Sequence, residues 1–157
     1  MKAIFFDRDN TLIIDSHYMH DVNDLKFYPD TFDVLYELKK RGYQFFIISN
    51  QSGIGRGYFT EKQLEVFHKA MLDEFEKHHI EFVEVAYCPH HPNENCDCRK
   101  PHPKILLELM ERYNVDKSTA YMVGDRDSDY QCGINAGINA IKIKDGHELK
   151  RLLTEIK

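Results

Sequence analysis

The sequence predicts a doubly wound, Rossmann-like α/β fold in which helices cover both faces of a parallel sheet. Three observations carry that prediction. Short apolar runs alternate with segments of helical periodicity, which is the pattern of βαβ units. Three of the runs are apolar almost without a break, as in strands covered on both faces. The 157 residues, 42% of them hydrophobic, suffice for one core. Strands are expected at Ala3–Phe6, Tyr43–Ile48, Phe82–Tyr87, Ala120–Val123 and Asn139–Ile143. The first helix follows Pro29, buries Phe32, Leu35 and Leu38, and stops at Gly42, a residue suited to a left-handed C′ position. Thr60-Glu61-Lys62-Gln63 reads as a capping box that opens the next helix, with Leu64, Phe67, Met71 and Phe75 on one face. A third starts near Pro103 and stripes Leu106, Leu109, Met110 and Tyr113. A fourth covers roughly Ser128 to Ala136, and a fifth closes the chain with Leu149, Leu152 and Leu153. No repeat, low-complexity tract or linker interrupts the pattern, so residues 1–157 are expected to form a single domain.

Charge and composition narrow the function classes. A net charge of −5 without a basic stripe argues against a generic nucleic-acid binder. No run of about 18 apolar residues is present, which excludes a transmembrane helix. The opening Met1-Lys2-Ala3-Ile4-Phe5-Phe6-Asp7 meets a charge too early for a signal peptide. The expected setting is therefore a reducing cytoplasm, where the four cysteines read as metal ligands or free thiols before disulfides. With no apolar surface stripe, a monomer is the default expectation.

Ligands of such sheets bind beyond the carboxyl ends of the strands. The loops to inspect thus leave Phe6, Ile48, Tyr87 and Val123. The first is Asp7-Arg8-Asp9-Asn10-Thr11. Its two carboxylates suit a hard cation, or a nucleophile beside a proton-moving group, although the same residues are ordinary in turns. The loop after Val123 is Gly124-Asp125-Arg126-Asp127-Ser128-Asp129. Crowded carboxylates call for a compensating cation such as Mg²⁺. Asp125, nearest the strand, is the expected ligand, and Asp129 is expected one helical turn behind it. Asp127 or Ser128 could simply cap the following helix. Ser49-Asn50-Gln51-Ser52-Gly53-Ile54-Gly55-Arg56-Gly57 offers hydroxyls, amides and backbone to an anion, and Arg56 adds charge.

The most specific stretch follows Tyr87. Cys88, His90, Cys96 and Cys98 supply four soft or borderline ligands within eleven positions, which suits a closed, structural tetrahedral Zn²⁺ site over 88–98. A disulfide competes with that reading. Cys132 lies apart, in a helical pattern, and reads as a small buried hydrophobe. A metal knuckle would hold Arg99 and Lys100 in place, Lys100 as a point charge for a phosphoryl group and Arg99 as a planar fork for a second anion. Together the four loops describe phosphoryl transfer through an aspartyl-phosphate.

Asp7-Arg8-Asp9-x-Thr11, Ser49-Asn50, Lys100-Pro101 and Gly124-Asp125-x-x-x-Asp129 resemble the four ordered motifs of the haloacid dehalogenase superfamily phosphatases, over Ile4 to about Lys144. Tyr18-Met19-His20, Asn50-Gln51-Ser52-Gly53-Ile54-x-Arg56-Gly57 and Cys88-Pro89-His90-His91-Pro92…Cys96-Asp97-Cys98-Arg99-Lys100-Pro101-His102-Pro103 resemble its zinc-containing subgroup. That subgroup comprises the D-glycero-D-manno-heptose 1,7-bisphosphate 7-phosphatases, favoured here, and the histidinol-phosphate phosphatases. The resemblance implies Asp7 as nucleophile and Asp9 as general acid/base. It implies Mg²⁺ on Asp7, the backbone carbonyl of Asp9 and Asp125, with Ser49 and Lys100 on the phosphoryl group. Substrate would touch Asp15, Ser16, His17, Tyr18, Asn50, Gln51, Ser52, Arg99 and Arg126.

Two features depart from the pattern. Asn10 stands where the family usually has Gly, and Asn is the non-Gly residue that best tolerates positive φ. Five residues separate His90 from Cys96, closer to the histidinol-phosphate spacing. The alternatives are thus histidinol phosphate as substrate, a nucleic-acid 3′-phosphatase that shares the Asn50-Gln51 stretch, or a zinc-knuckle binding module without turnover. Only about 20 residues separate Asn10 from the helix after Pro29, and Gln51 to Arg99 is already filled by a helix, a strand and the zinc loop. A capless site open to solvent is expected, with Arg56, Arg99, Lys100 and Arg126 facing an anionic substrate.

Overall fold

Lys2–Phe6 (β1), Tyr43–Asn50 (β2), Phe82–Cys88 (β3), Tyr121–Gly124 (β4) and Asn139–Lys142 (β5) form one sheet in the computed structural model, which describes residues 1–157. All pairings are parallel, in the order β3-β2-β1-β4-β5. The helices are Thr31–Lys40 (α1), Ser52–Gly55 (α2), Glu61–Lys77 (α3), Lys104–Arg112 (α4), Asp127–Asn135 (α5) and Leu152–Glu155 (α6). Each expected strand is present to within about two residues at either end.

The period of two along the strands divides the apolar residues between two cores. Ile4 and Phe6 of β1 and Phe45 and Ile47 of β2 meet Leu35, Leu38, Phe67, Met71, Phe75 and Leu152, so α1, α3 and α6 cover one face. Ala3, Phe5, Phe46, Ile48 and Met122 meet Leu106, Leu109, Met110 and Cys132, so α4 and α5 cover the other. β3, at one edge, is half-buried along most of its length, which fits its mixed sequence. The Thr60 capping box is formed, with its hydroxyl accepting from Gln63 N at 3.1 Å and its N–H donating to Gln63 Oε1 at 2.8 Å.

Two local expectations are corrected, and one element was not expected. Phe32 is only partly buried, because it sits at the rim of the core, stacked on His78 with ring centroids 3.7 Å apart. The closing helix is a 3₁₀ segment over Gly146–Arg151 that leads into α6. The short α2 had no periodicity to announce it. It forms because its backbone is tied to the loop after β3, through Gln51 N to Cys88 O and Gly55 N to Pro89 O, each 2.8 Å. A side chain at position 55 would run into that loop's backbone at Pro89 and His91. No cap domain stands over the carboxyl end of the sheet, since only a 3₁₀ turn, α2 and α3 fill the segments where an insertion would fall. No helix is long and apolar enough to cross a membrane.

Candidate active site

β1 and β4 are neighbours, and Asp7 N donates to Val123 O at 2.9 Å. The loops leaving them are therefore brought together. Asp7, Asp125 and Asp129 place carboxylate oxygens within 4.8 Å of one another. Lys100 enters from 93 residues away in the chain. Its Nζ donates to Asp7 Oδ1 (2.7 Å), Asp129 Oδ1 (2.6 Å) and Ile48 O (2.8 Å). Burial opposes the ammonium, yet Asp129 and Asp7 outweigh it and raise the Lys100 pKa. Burial and the Asp129 carboxylate push Asp7 well above the usual carboxylate range, with Lys100 pulling the other way. Asp125 is raised too, first by its burial, and its buried Oδ1 has no hydrogen-bond partner. Three carboxylates against one ammonium, with an orphaned carboxylate oxygen among them, form a donor set that fits a divalent hard cation. The Asp9 carboxylate lies outside this set and is held by Arg8, through Nε at 2.7 Å and Nη2 at 3.2 Å.

Asp129 is more deeply committed than its place one turn behind Asp125 suggests. Its other oxygen accepts from Arg126 N at 3.1 Å, closing the first turn of α5. The expected caps do not operate, since Asp127 points to solvent and pairs with Lys142 at 2.7 Å. Gly124 is required beside it, because a Cβ there would overlap the Asp129 carboxylate.

A cleft of about 210 Å³ opens over this cluster. Asp7, Asp9, Asp15, His17, Tyr18, Asn50, Gln51, Ser52, Arg56, Arg99, Lys100 and Arg126 all line it, joined by Asp129 and by Ser128, which was not expected there. Ser16 does not line it, since the loop turns that residue outward to solvent. Ser49 is buried beneath the cleft, its Oγ accepting from Gln51 Nε2 at 2.6 Å. Asn50 is turned toward Lys100, giving Nδ2 to Lys100 O (3.3 Å) and accepting from Lys100 N (3.0 Å), so its amide is a clamp more than a free substrate contact. His17 and Tyr18 both have positive φ, 58° and 49°, in a turn closed by Asp15 Oδ1 accepting from His17 N at 2.8 Å. The Tyr18 ring lies 4.8 Å from the Tyr58 ring and 5.7 Å from the Arg56 guanidinium. Asn10 takes φ 62°, and Tyr28 OH donates to its Oδ1 at 3.3 Å, so this asparagine does take up the left-handed conformation.

At the rim, Arg99 has a buried Nη1 without a partner. Burial, and then the nearby Arg126 and Arg56, lower its pKa. Arg99 issues from the cysteine loop, where Cys88, His90, Cys96 and Cys98 turn one donor atom each to within 4.8 Å of one another. The Cys88 and Cys98 sulfurs are in contact, His90 Nδ1 is 3.1 Å from Cys98 Sγ, and Cys96 Sγ is 3.8 Å from Cys88 Sγ. A disulfide would use two of these groups and leave His90 and Cys96 without a role, whereas one tetrahedral ion uses all four. His91 stays out, its Nδ1 accepting from Asn93 N at 3.0 Å.

Two residues behind the cleft were missed. Arg8 is wholly buried, and its guanidinium reaches both Asp9 and His68. The signal was present in the sequence: His68 falls among Leu64, Phe67 and Met71 on the apolar face of α3, where an imidazole requires a buried polar partner.

Comparison with known proteins agrees with this geometry. The haloacid dehalogenase-like hydrolase family model matches residues 6–143. D-glycero-beta-D-manno-heptose-1,7-bisphosphate 7-phosphatase of Haemophilus influenzae is 41% identical over 143 residues, covering 87% of this chain and 78% of that protein. The Escherichia coli enzyme of the same name is 38% identical over 145 residues, covering 88% and 76%. The crystal structure of D,D-heptose 1,7-bisphosphate phosphatase from B. bronchiseptica, complexed with magnesium and phosphate, superposes with a TM-score of 0.87 at 28% identity, covering 98% of this chain and 87% of that one. With its carboxylates, lysine and sheet order arranged in this way, the chain belongs to the haloacid dehalogenase-like hydrolase family.

Proposed function

We propose that this chain is a Mg²⁺-dependent phosphatase that removes the 7-phosphate of D-glycero-D-manno-heptose 1,7-bisphosphate, leaving heptose 1-phosphate. The observation that carries the reading is the two-part cleft. Its floor holds Asp7, Lys100 and Asp129, with Asp125 in the same carboxylate cluster, and its rim holds Arg56, Arg99 and Arg126. One phosphate has a place at the floor and a second at the rim. The amine of histidinol phosphate would meet three guanidinium groups there. The relatives' names support the same choice.

In this reading Asp7 attacks phosphorus, the bond to the C7 oxygen breaks, and Asp9 gives that oxygen its proton. Asp9 then takes a proton from the water that releases inorganic phosphate from Asp7. Lys100 and the Ser49 hydroxyl hold the phosphoryl oxygens, and Asn50 and Gln51 keep those two groups in place. Asp7, the Asp9 carbonyl and Asp125 would hold Mg²⁺, which when bound supplies positive charge to the phosphoryl oxygens. Asp15, His17, Tyr18 and Ser52 line the remaining wall against the sugar. The setting is cytoplasmic, and the chain acts as a monomer.

The test is a side-by-side comparison of kcat/KM on heptose 1,7-bisphosphate, both anomers, and on histidinol phosphate. Preference for histidinol phosphate would overturn the substrate assignment. Arg99→Gln should lower kcat/KM for the bisphosphate by about 10-to-100-fold, the worth of a charged hydrogen bond, and change that for heptose 7-phosphate little.

The second part of the proposal is structural Zn²⁺ on Cys88, His90, Cys96 and Cys98. The loop from 88 to 98 has little apolar content of its own, and four coordinate bonds would order it and fix Arg99. Metal analysis should give about one zinc per chain, and Cys98→Ser should lower the melting temperature and weaken bisphosphate binding. A metal-free protein of unchanged stability would refute this.

A further inference from the structure

Two side chains outside the cleft, Arg8 and His68, stand behind the general acid/base of the proposed reaction. Arg8 follows Asp7 on the strand end, so it points the opposite way, into the larger core, and is wholly buried. Its guanidinium lies over the Phe67 ring, 4.9 Å from the ring centre. It has two polar partners. Nε and Nη2 make a fork onto the Asp9 carboxylate, at 2.7 and 3.2 Å, and Nη1 lies 3.0 Å from His68 Nε2. A guanidinium has donors only, so His68 Nε2 is the acceptor and its proton sits on Nδ1. Burial, and then Arg8, lower the His68 pKa from 6.5 to about 3, which keeps the ring neutral at any working pH. Asp9 alone of the three reaches the cleft.

A lone carboxylate at a strand end is free to rotate. Here one side of Asp9 is taken by a planar fork, and the fork is itself held at its far nitrogen by His68 and at its face by Phe67. We infer that His68 is a positioning residue for phosphoryl transfer, aiming the Arg8 guanidinium so that Asp9 presents its carboxyl group to the leaving oxygen. The inference rests on Asp9 being the general acid/base. It assigns a role in the chemistry to a residue of α3 that lies outside the cleft.

Leaving-group dependence tests it. An alkyl leaving group such as the sugar C7 oxygen requires a proton from Asp9, whereas 4-nitrophenolate leaves without one. The measurement is the single-turnover rate of leaving-group release by the full Mg²⁺-loaded chain, on heptose 1,7-bisphosphate and on 4-nitrophenyl phosphate. His68→Leu should slow the sugar substrate by about 10-fold or more and 4-nitrophenyl phosphate by less than about two-fold, with unchanged KM. His68→Gln, whose amide reaches Arg8, should restore most of the sugar rate. His68→Asn is one bond shorter and should not. That contrast carries the test if the leucine variant fails to fold. Equal slowing of both substrates, or no difference between Gln and Asn, would overturn the inference. Asp9→Asn is the control. It should discriminate between the substrates in the same direction and more strongly, and if it does not, the assignment of Asp9 is at fault and not the role of His68.

Discussion

Asp7→Asn should lower phosphate release by about 10⁴-fold or more while the protein stays folded. An amide oxygen is a poor nucleophile, but it preserves the shape of the side chain and can still accept from Lys100 Nζ. Lys100 keeps a full counter-ion in Asp129 at 2.6 Å, so no buried charge is stranded. The substitution also removes a carboxyl group that burial, and then the Asp129 carboxylate, hold above its normal range. In the metal-free chain the denaturant midpoint should accordingly be equal to or slightly above wild type. Turnover at the wild-type rate would rule out the aspartyl-phosphate.

Lys100→Met should have the opposite balance, harming the fold as well as the reaction. Methionine fills much of the same volume but leaves Asp7 and Asp129 facing each other in a buried site. Removing one partner of a buried ion pair costs about 3–5 kcal/mol, because the remaining charge is left without compensation. Urea unfolding at neutral pH should register this. The sign with pH follows from the carboxyl groups. The folded-state pKa of Asp7, already raised, would rise further without the ammonium, so stability is lost as pH rises through that value. Well below pH 3.8, where the Asp7 carboxyl group is protonated folded or unfolded, the deficit should close. Activity should fall by about 10²-to-10³-fold, the usual effect of removing one donor to a developing charge. A variant as stable as wild type at neutral pH would show that the three-way contact contributes nothing to the fold.

Much of this site was legible from residue types at strand ends. Aspartates after an apolar run, a Cys/His quartet within eleven positions and a Lys after it have few other uses in combination. What was not legible is where each side chain points. Asn50 carries the same donors and acceptors whether it meets a substrate or the Lys100 backbone, and only the fold shows that the backbone has taken both. Ser16 differs little from its neighbours in chemistry, and a turn with two positive-φ residues decides that it faces out. Arg8 reads as another surface charge in a polar loop until the alternation at the end of β1 sends it inward.

The sequence by itself determined the class of fold, the position of every strand and the type of donor atom each cluster offers. Those properties depend on local periodicity and on the hardness of donor atoms, both of which are written residue by residue. Tertiary structure alone decided that β4 lies beside β1, that Lys100 reaches back across 93 residues to Asp7, and that His68 stands behind Asp9. Parallel pairing of strands distant in the chain depends on how two helical layers bury the whole sheet, and no local pattern encodes that choice. The Asp9 carboxylate is thus placed by the motif, and the Arg8–His68 contact behind it by the packing of a helix elsewhere in the chain.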